Sequence, residues 1–547
     1  MVYFIISVNI LSTKETDKSL NKKGYNTMED VNVIQIKSHK APINVCERLV
    51  LEMSYVLPDN RPRITSIEQL AVELSASGIE ATSDMISLDI SANAQMTYNA
   101  LAVSEEEEHY FTTASRFSKQ FKEILDINTS GEALDVDACW VEVKAANVDA
   151  VLISDRKVNV KINAVVTALM RTSSTADCIE SFNDSAIVKL QRIHNGKKLL
   201  GSARAQSYIK EDVAISDGTP EIENVLMTNA TVQIDNKRVL DGKLIFYGTV
   251  HIDALCSAAT GDERFFNTGF DVNFNQACEI NGLNDDSVSV INSSVSDVTL
   301  DAKSGGVVGV ELLVSFDVES FGDYEQSIIE DAFVPGGRLD IDHTLLCIED
   351  TSFISDGIGI CSDKINVSGG DVDKVVMCRV NVKECSSHVG TTGICFDGIY
   401  SLNATYTLRS DPHCLVTKTT QTPFSYMIGS SCDDSSTVHG GVNTKGVTAH
   451  VNEYGEIQIK WVAEAWALVT QTKNVNVISN AQRSELDDVG KSCIYYHYIT
   501  ENETLWDIAK HFSVIPDDIC IANGISKDCD LSILKGVVIP VIRKDVK

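Results

Sequence analysis

Apolar and polar residues alternate with period two along most of this chain. The runs Val158, Val160, Ile162, Ala164, Val166 and Val308, Val310, Leu312, Val314, Phe316, Val318 each set every second residue on one face. That pattern predicts strands with one buried and one wet face, as antiparallel sheets require. A third run begins at Ile457 and Ile459, and Trp461–Val462 breaks its rhythm, which predicts a bulge at that point. The glycine pairs Gly305–Gly306 and Gly440–Gly441 suit turns between strands. Near the C-terminus the period changes. Leu505, Ile508, Ala509 and Phe512 recur at helical spacing, leaving Trp506 and Lys510 elsewhere on the helix surface. Thr504 and Asp507 form a capping-type pair ahead of them. Pro516 suits the first position of a second helix, Asp517 and Asp518 its positive end, and Gly524 the left-handed stop. With short apolar runs at Tyr496–Ile499 and Val537–Ile542, this region predicts a βααβ order.

The β-rich part repeats itself. Ile222-Glu223-Asn224-Val225-Leu226-Met227 returns 150 positions later as Val372-Asp373-Lys374-Val375-Val376-Met377. At the same offset Phe246-Tyr247-Gly248 matches Phe396-Asp397-Gly398. A weaker copy starts at Pro62-Arg63-Ile64, where Ile90 or Ser91 stands at the glycine position. Acid–proline steps precede the copies: Glu52 through Pro58, Glu211-Asp212 through Pro220, Glu330-Asp331 through Pro335. They read as connectors. The expected order is a segment 1–28 that is disordered or a mis-assigned start, a first repeat 29–171, and a mildly basic connector 172–215 containing Lys189, Arg192, Lys197 and Lys198. A second repeat 216–335, a third 336–480, a linker 481–493 and a small terminal module 494–543 complete it. Three tandem β-sandwich-like repeats would make an elongated molecule.

A chain of 547 residues is too long for one core. Its 77 acidic against 46 basic residues give a net charge of −31, which repels nucleic-acid phosphates and anionic lipid heads. A solvated acidic surface is the plainest use of that charge. Fifteen cysteines show no Cys-x-x-Cys and no zinc spacing, and are expected as reduced thiols acting as small apolar residues. Val2–Leu11 is apolar but short, with no preceding basic residues and no cleavage site, so it is read as neither signal peptide nor membrane span.

Signatures of catalysis are absent: no nucleophile elbow, no phosphate-cradling Gly-x-x-x-x-Gly-Lys, no His-Glu-x-x-His. The eleven histidines are scattered singly, and Glu105–Glu108 reads as a solvated hairpin tip. No enzyme, cofactor or metal is expected.

Tyr498-Ile499-Thr500, Glu503-Thr504-Leu505-Trp506-Asp507-Ile508-Ala509, Pro516-Asp517-Asp518-Ile519, Asn523-Gly524 and Gly536-Val537-Val538-Ile539-Pro540 together resemble a LysM module. Asn502-Glu503 stands where that family usually has Gly-Asp. The resemblance implies binding to N-acetylglucosamine polymers or to another protein, through loops carrying Asn502, Glu503, Thr504, Trp506 and Ile525. Trp506 has two roles open to it, stacking on a sugar ring or covering the small core.

The repeats, and above all the Asp241–Val250 strand pair, resemble SPOCS repeats. Three of them before one LysM module are similar to the SipL family of spore-coat morphogenetic proteins. That resemblance implies a non-enzymatic adaptor in the mother-cell cytoplasm, joining the coat's basement ATPase to the forespore surface, with self-association as a further contact. The alternatives are a structural protein binding peptidoglycan or another N-acetylglucosamine polymer, and a LysM-anchored wall hydrolase whose carboxylate pair the sequence does not single out.

Overall fold

A computed structural model describes residues 31–541, apart from 41, 83–84, 104–107, 128–133, 136–137, 217, 261–263, 304–305, 368–370, 431, 434 and 485–492. The segment 1–28, Glu105–Glu107 and most of the 481–493 linker therefore lie outside the described residues. The chain is mainly β, with a small C-terminal α/β unit.

Three successive units share one connectivity. The first contains β1 (Val31–His39), β2 (Ile43–Val56), β3 (Ile64–Ala81), β4 (Met85–Val103), β5 (Glu108–Asp126), β6 (Trp140–Ser154), β7 (Lys157–Met170) and β8 (Ser173–Phe182). The second runs through β9 (Val188–Ala214), β10 (Ile222–Leu240), β11 (Lys243–Ala258), β12 (Phe265–Glu279), β13 (Val288–Lys303) and β14 (Val307–Phe333). The third follows as β15 (Arg338–Ile365), β16 (Val372–Val389), β17 (Gly393–Leu408), β18 (Asp411–Gly429), β19 (Thr437–Val451) and β20 (Ile457–Ser484). In each, a three-stranded meander (β3-β4-β5, β10-β11-β12, β16-β17-β18) faces a second sheet (β2-β7-β6, β9-β14-β13, β15-β20-β19). The alternating residues of β7, β14 and β20 supply the inward face: Val158 to Val166, Val308 to Val318 and Ile457 to Ala467 are buried at every second position.

The copies coincide in their irregularities too. Register shifts fall at Ile64/Ser66 and Ile67/Gln69, at Ile222/Asn224 and Val225/Met227, and at Val372/Lys374 and Val375/Met377. A bulge adds one residue and bends the strand, so these pairs curve each meander over its partner sheet. Asp241 (φ 51°) and Gly242 (φ 75°) make the two-residue turn between β10 and β11, the left-handed pair that matches strand twist.

Several expectations change. In β20 the alternation passes unbroken through Trp461, because the small Ala463, Ala465 and Ala467 take the next inward positions. Beside this run the bulges lie in its neighbours, at Gly357/Gly359 of β15 and Lys445/Thr448 of β19, while the extra residue of β20 itself is Ser479, opposite Asp342/His343. Gly440–Gly441 is inside β19, not in a turn: a side chain on Gly440 would meet the Trp466 carbonyl oxygen at 2.2 Å. The basic connector is β8 and the whole of β9. Lys197 and Arg192 there pair with Asp323 (2.6 Å) and Glu330 (3.2 Å) of β14.

The units do not form an extended string. They close on one another. Asn44 of the first donates to the Val438 carbonyl of the third (3.0 Å), and the Leu415 amide of the third donates to Thr112 of the first (2.9 Å). Gln95 of the first accepts from the Thr228 amide of the second (2.8 Å), and Asp350 of the third from the Lys197 amide of the second (2.8 Å). A shared apolar cluster takes Ala71 and Ala114 from the first unit, Leu226, Leu255 and Phe265 from the second, and Val376 and Leu415 from the third. Beyond the sandwiches, the β1–β8 ribbon packs against the extended ends of β9–β14 and β15–β20, burying Ile179, Ile329 and Ile478 together.

Polar groups are buried at these junctions. Arg171, 0% exposed, donates to Glu319 of the second unit at 2.7 Å, and its guanidinium lies 5.7 Å from the Phe321 ring. Glu349 of the third unit accepts from the Leu199 amide of the second at 2.7 Å. All fifteen cysteines are free. Burial pushes the Cys256 and Cys378 thiols up to about 12, so both stay neutral and unreactive.

Candidate functional site

The C-terminal unit is built from β21 (Cys493–Tyr498), α1 (Leu505–Phe512), α2 (Pro516–Asn523) and β22 (Gly536–Val541), with β21 and β22 antiparallel. Its core is Ile508, Ala509, Val514, Ile519, Leu531, Val537 and Ile539. The helix starts and stops come from the residues that predict them. Thr504 Oγ1 accepts from the Asp507 amide (3.2 Å) and Asp507 Oδ2 accepts from the Thr504 amide (2.9 Å), a complete capping box. Pro516 begins α2, and Gly524 (φ 66°) ends it. Asn523 ties α2 to β22, donating to and accepting from Val538 at 2.7 Å each.

The loop from β21 to α1 is equally defined. Asn502 is left-handed (φ 65°), a conformation that asparagine tolerates better than most residues. Glu503 is half-buried and accepts from the Thr500 amide and the His497 ring, both at 2.9 Å. Partial burial works against its charged form. The Thr500 amide and His497 outweigh that and hold the carboxyl below its ordinary range. Glu503 is therefore an anion that fixes the loop.

The five loop residues do not gather on one face. Asn502 and Thr504 are exposed, and Ile525 packs against the unit's own core. Trp506 turns toward the second unit. Its indole N–H donates to Asp331 Oδ2 at 2.8 Å, and its ring meets Phe333 edge-on with centroids 5.1 Å apart. Lys510 Nζ donates to both Asp331 oxygens at 2.7 Å. The Gly336 amide donates to the Ser513 carbonyl at 3.1 Å, and Val188 joins the same apolar cluster.

The C-terminal unit thus sits on the outer end of the β9–β14 ribbon. Trp506 and Lys510, expected on the helix surface away from its apolar stripe, form the seat, a role beside the sugar stacking and core covering open to Trp506. Sequence reasoning missed Asp331, Phe333 and Val188. Glu330-Asp331 stood out as acidic, but nothing in periodicity links Asp331 to Trp506, 175 residues later.

A different surface stays open. Ile494, Tyr496 and Tyr498 on β21 are 77%, 56% and 72% exposed, with Ile521 and Ile533 at 79% and 75%. Among the described residues no three side chains converge as a metal site, and no helix is long and apolar enough to cross a membrane.

Residues 221–303, which span β10 to β13, match the family described as SipL, SPOCS domain. The match lies within the second unit and supports a SipL-like protein with a SPOCS domain at that place. No curated protein and no solved structure matches the chain.

Proposed function

We propose that the chain is a non-enzymatic scaffold of spore-coat assembly, built from three SPOCS repeats and a LysM-type terminal unit. The SPOCS match at 221–303 carries this reading. Two observations extend it. The first and third units repeat the strand order of the matched one, and they repeat its pair of bulges. The βααβ order, with its capping box and left-handed Asn502 loop, is the architecture that the LysM resemblance implies.

On this reading the repeats form one closed platform rather than a flexible string. The terminal unit is held at one end of it. Its seat occupies Trp506, so the contact with the coat's basement ATPase falls on the surface that remains, the Asn502–Thr504 loop and the aromatic face of β21. The working place is the mother-cell cytoplasm, at the forespore surface.

The full-length chain, the purified ATPase and insoluble peptidoglycan test this together. Binding to the ATPase that weakens at least tenfold in Tyr498→Ala supports the adaptor. Pelleting with peptidoglycan and no binding to the ATPase would replace it with a glycan-anchored structural protein.

A further inference from the structure

A cavity of about 730 Å³ opens where the three units meet, within the range of roughly 300–1,000 Å³ common for small-molecule sites. Its apolar walls come from different units: Trp140 and Leu169 from the first, Val290 from the second, Trp466 and Leu468 from the third. Amide side chains stand around them, Asn236 and Asn292 from the second unit and Asn443 from the third. His439 lines the cavity and is only 7% exposed. Its ring meets Trp140 edge-on at 4.4 Å and Trp466 at 5.8 Å. Its Nε2 is buried and bonded to no protein group. An orphaned buried polar atom costs roughly 1–3 kcal/mol, and it marks the place where a ligand atom would restore the missing bond.

Charge narrows the ligand. Asp235, Asp317, Glu319 and Glu464 line the cavity against one lysine, Lys237. For an anion the lining offers only Lys237, which already donates to the Ser289 carbonyl. Three of those acids already hold cations: Arg204 on Asp317 (3.1 Å), Arg171 on Glu319 (2.7 Å) and Lys445 on Glu464 (3.0 Å). The fourth, Asp235, accepts from Gln233 (2.9 Å) and Thr249 (3.2 Å), so a ligand ammonium would compete with an interaction already made at each acid. What remains is a neutral molecule with an apolar face for the indoles and hydroxyls for the amides. Burial, with Arg171 and Lys144 nearby, lowers the His439 ring to about 3, so it stays neutral. A neutral ring nitrogen donates or accepts according to tautomer, and a hydroxyl answers either.

We propose that this junction cavity binds a neutral polyhydroxylated ligand, a pyranose or a short oligosaccharide of such rings. The site needs all three units, so it exists only in the closed arrangement. It is separate from the terminal unit and independent of the scaffold reading.

The test is calorimetric titration of the full chain with cellobiose and with chitobiose, at millimolar concentrations. One site per chain for either sugar is expected. His439→Phe keeps the edge-on aromatic packing but removes Nε2, and should weaken that binding at least tenfold without lowering the melting temperature. Asn443→Ala, at an exposed rim position, should weaken it several-fold and keeps the test sound if His439→Phe fails to fold. Three results would overturn the proposal: neither sugar binds, binding survives unchanged in both variants, or spermidine binds at this site in their place. Unchanged binding in both variants would put the sugar on the terminal unit.

Discussion

Single residues set the limits of this architecture most sharply where the backbone leaves no room. A Cβ on Gly248 would come within 1.9 Å of the Gln233 carbonyl oxygen and 2.9 Å of the Phe274 ring; Gly398 meets the Glu384 oxygen and Phe424 in the same way. In the first unit Ile90 pairs with Phe121 as Gly248 pairs with Phe274 and Gly398 with Phe424, so it is the first unit's copy of the motif that lacks the glycine. Gly248→Ala and Gly398→Ala should each cost about 1–3 kcal/mol in urea unfolding, because the strand pair has to separate to admit the methyl group. A smaller loss at both sites would mean that the bulges relax freely. His439 makes a second prediction, in pH. Its folded value, about 3, lies below the ordinary 6.5, so the unfolded chain takes up the proton first. The stability it contributes is complete above about pH 6.5 and is lost as pH falls toward 3, with a slope approaching 1.4 kcal/mol per pH unit. His439→Phe should flatten that slope between pH 6 and 4, measured by denaturant titration at each pH. An unaltered slope would assign the acid sensitivity to other groups.

Elements were legible to the extent that their pattern is local. The strand alternation around Val160 and Val314, the capping pair Thr504–Asp507 and the stop at Gly524 all depend on neighbours a few positions away, and the chain realises each of them. The misreadings share another cause. Ala463, Ala465 and Ala467 are inward because Trp461 fills the space beside them, and Gly440 is in a strand because the Trp466 backbone passes close. Both depend on partners that the one-dimensional pattern does not display. The seat of the terminal unit is the extreme case, since Asp331 and Trp506 are brought together only by the assembled ribbon. Asp331→Ala should release it, leaving the Lys510 ammonium and the indole N–H without their acceptor. The expected loss is about 1–3 kcal/mol of docking energy. Hydrogen exchange should rise in α1 and at the β14 tip, while amides at the centres of β7, β14 and β20 keep their protection. Uniform loss of protection would instead make the terminal unit part of the main cooperative body.

At the scale of the whole molecule, closure rests on buried polar contacts as well as apolar ones. Arg171→Met leaves Glu319 as a buried unpaired charge and should destabilise the closed body by about 3–5 kcal/mol. Adding Glu319→Leu should recover most of that, and a double variant as weak as the single one would show that the pair supplies more than its own charge balance. Closure also has a consequence in time. The hydrogen bond from Asn44 to Val438 spans 394 positions, so the part of the first unit's junction surface that meets the third has no partner until the third has been made. A ribosome adding about 5–20 residues per second needs on the order of tens of seconds to cover that distance. Until then Trp140 and the Ala71–Ala114 face lack the part of their cover that Leu468, Val376 and Leu415 supply, and that apolar surface is available to chaperones and to the matching faces of other nascent copies. The last sandwich synthesised is therefore the one that ends the exposure, and a chain truncated before β16 should collect with chaperones however well its first two sandwiches fold.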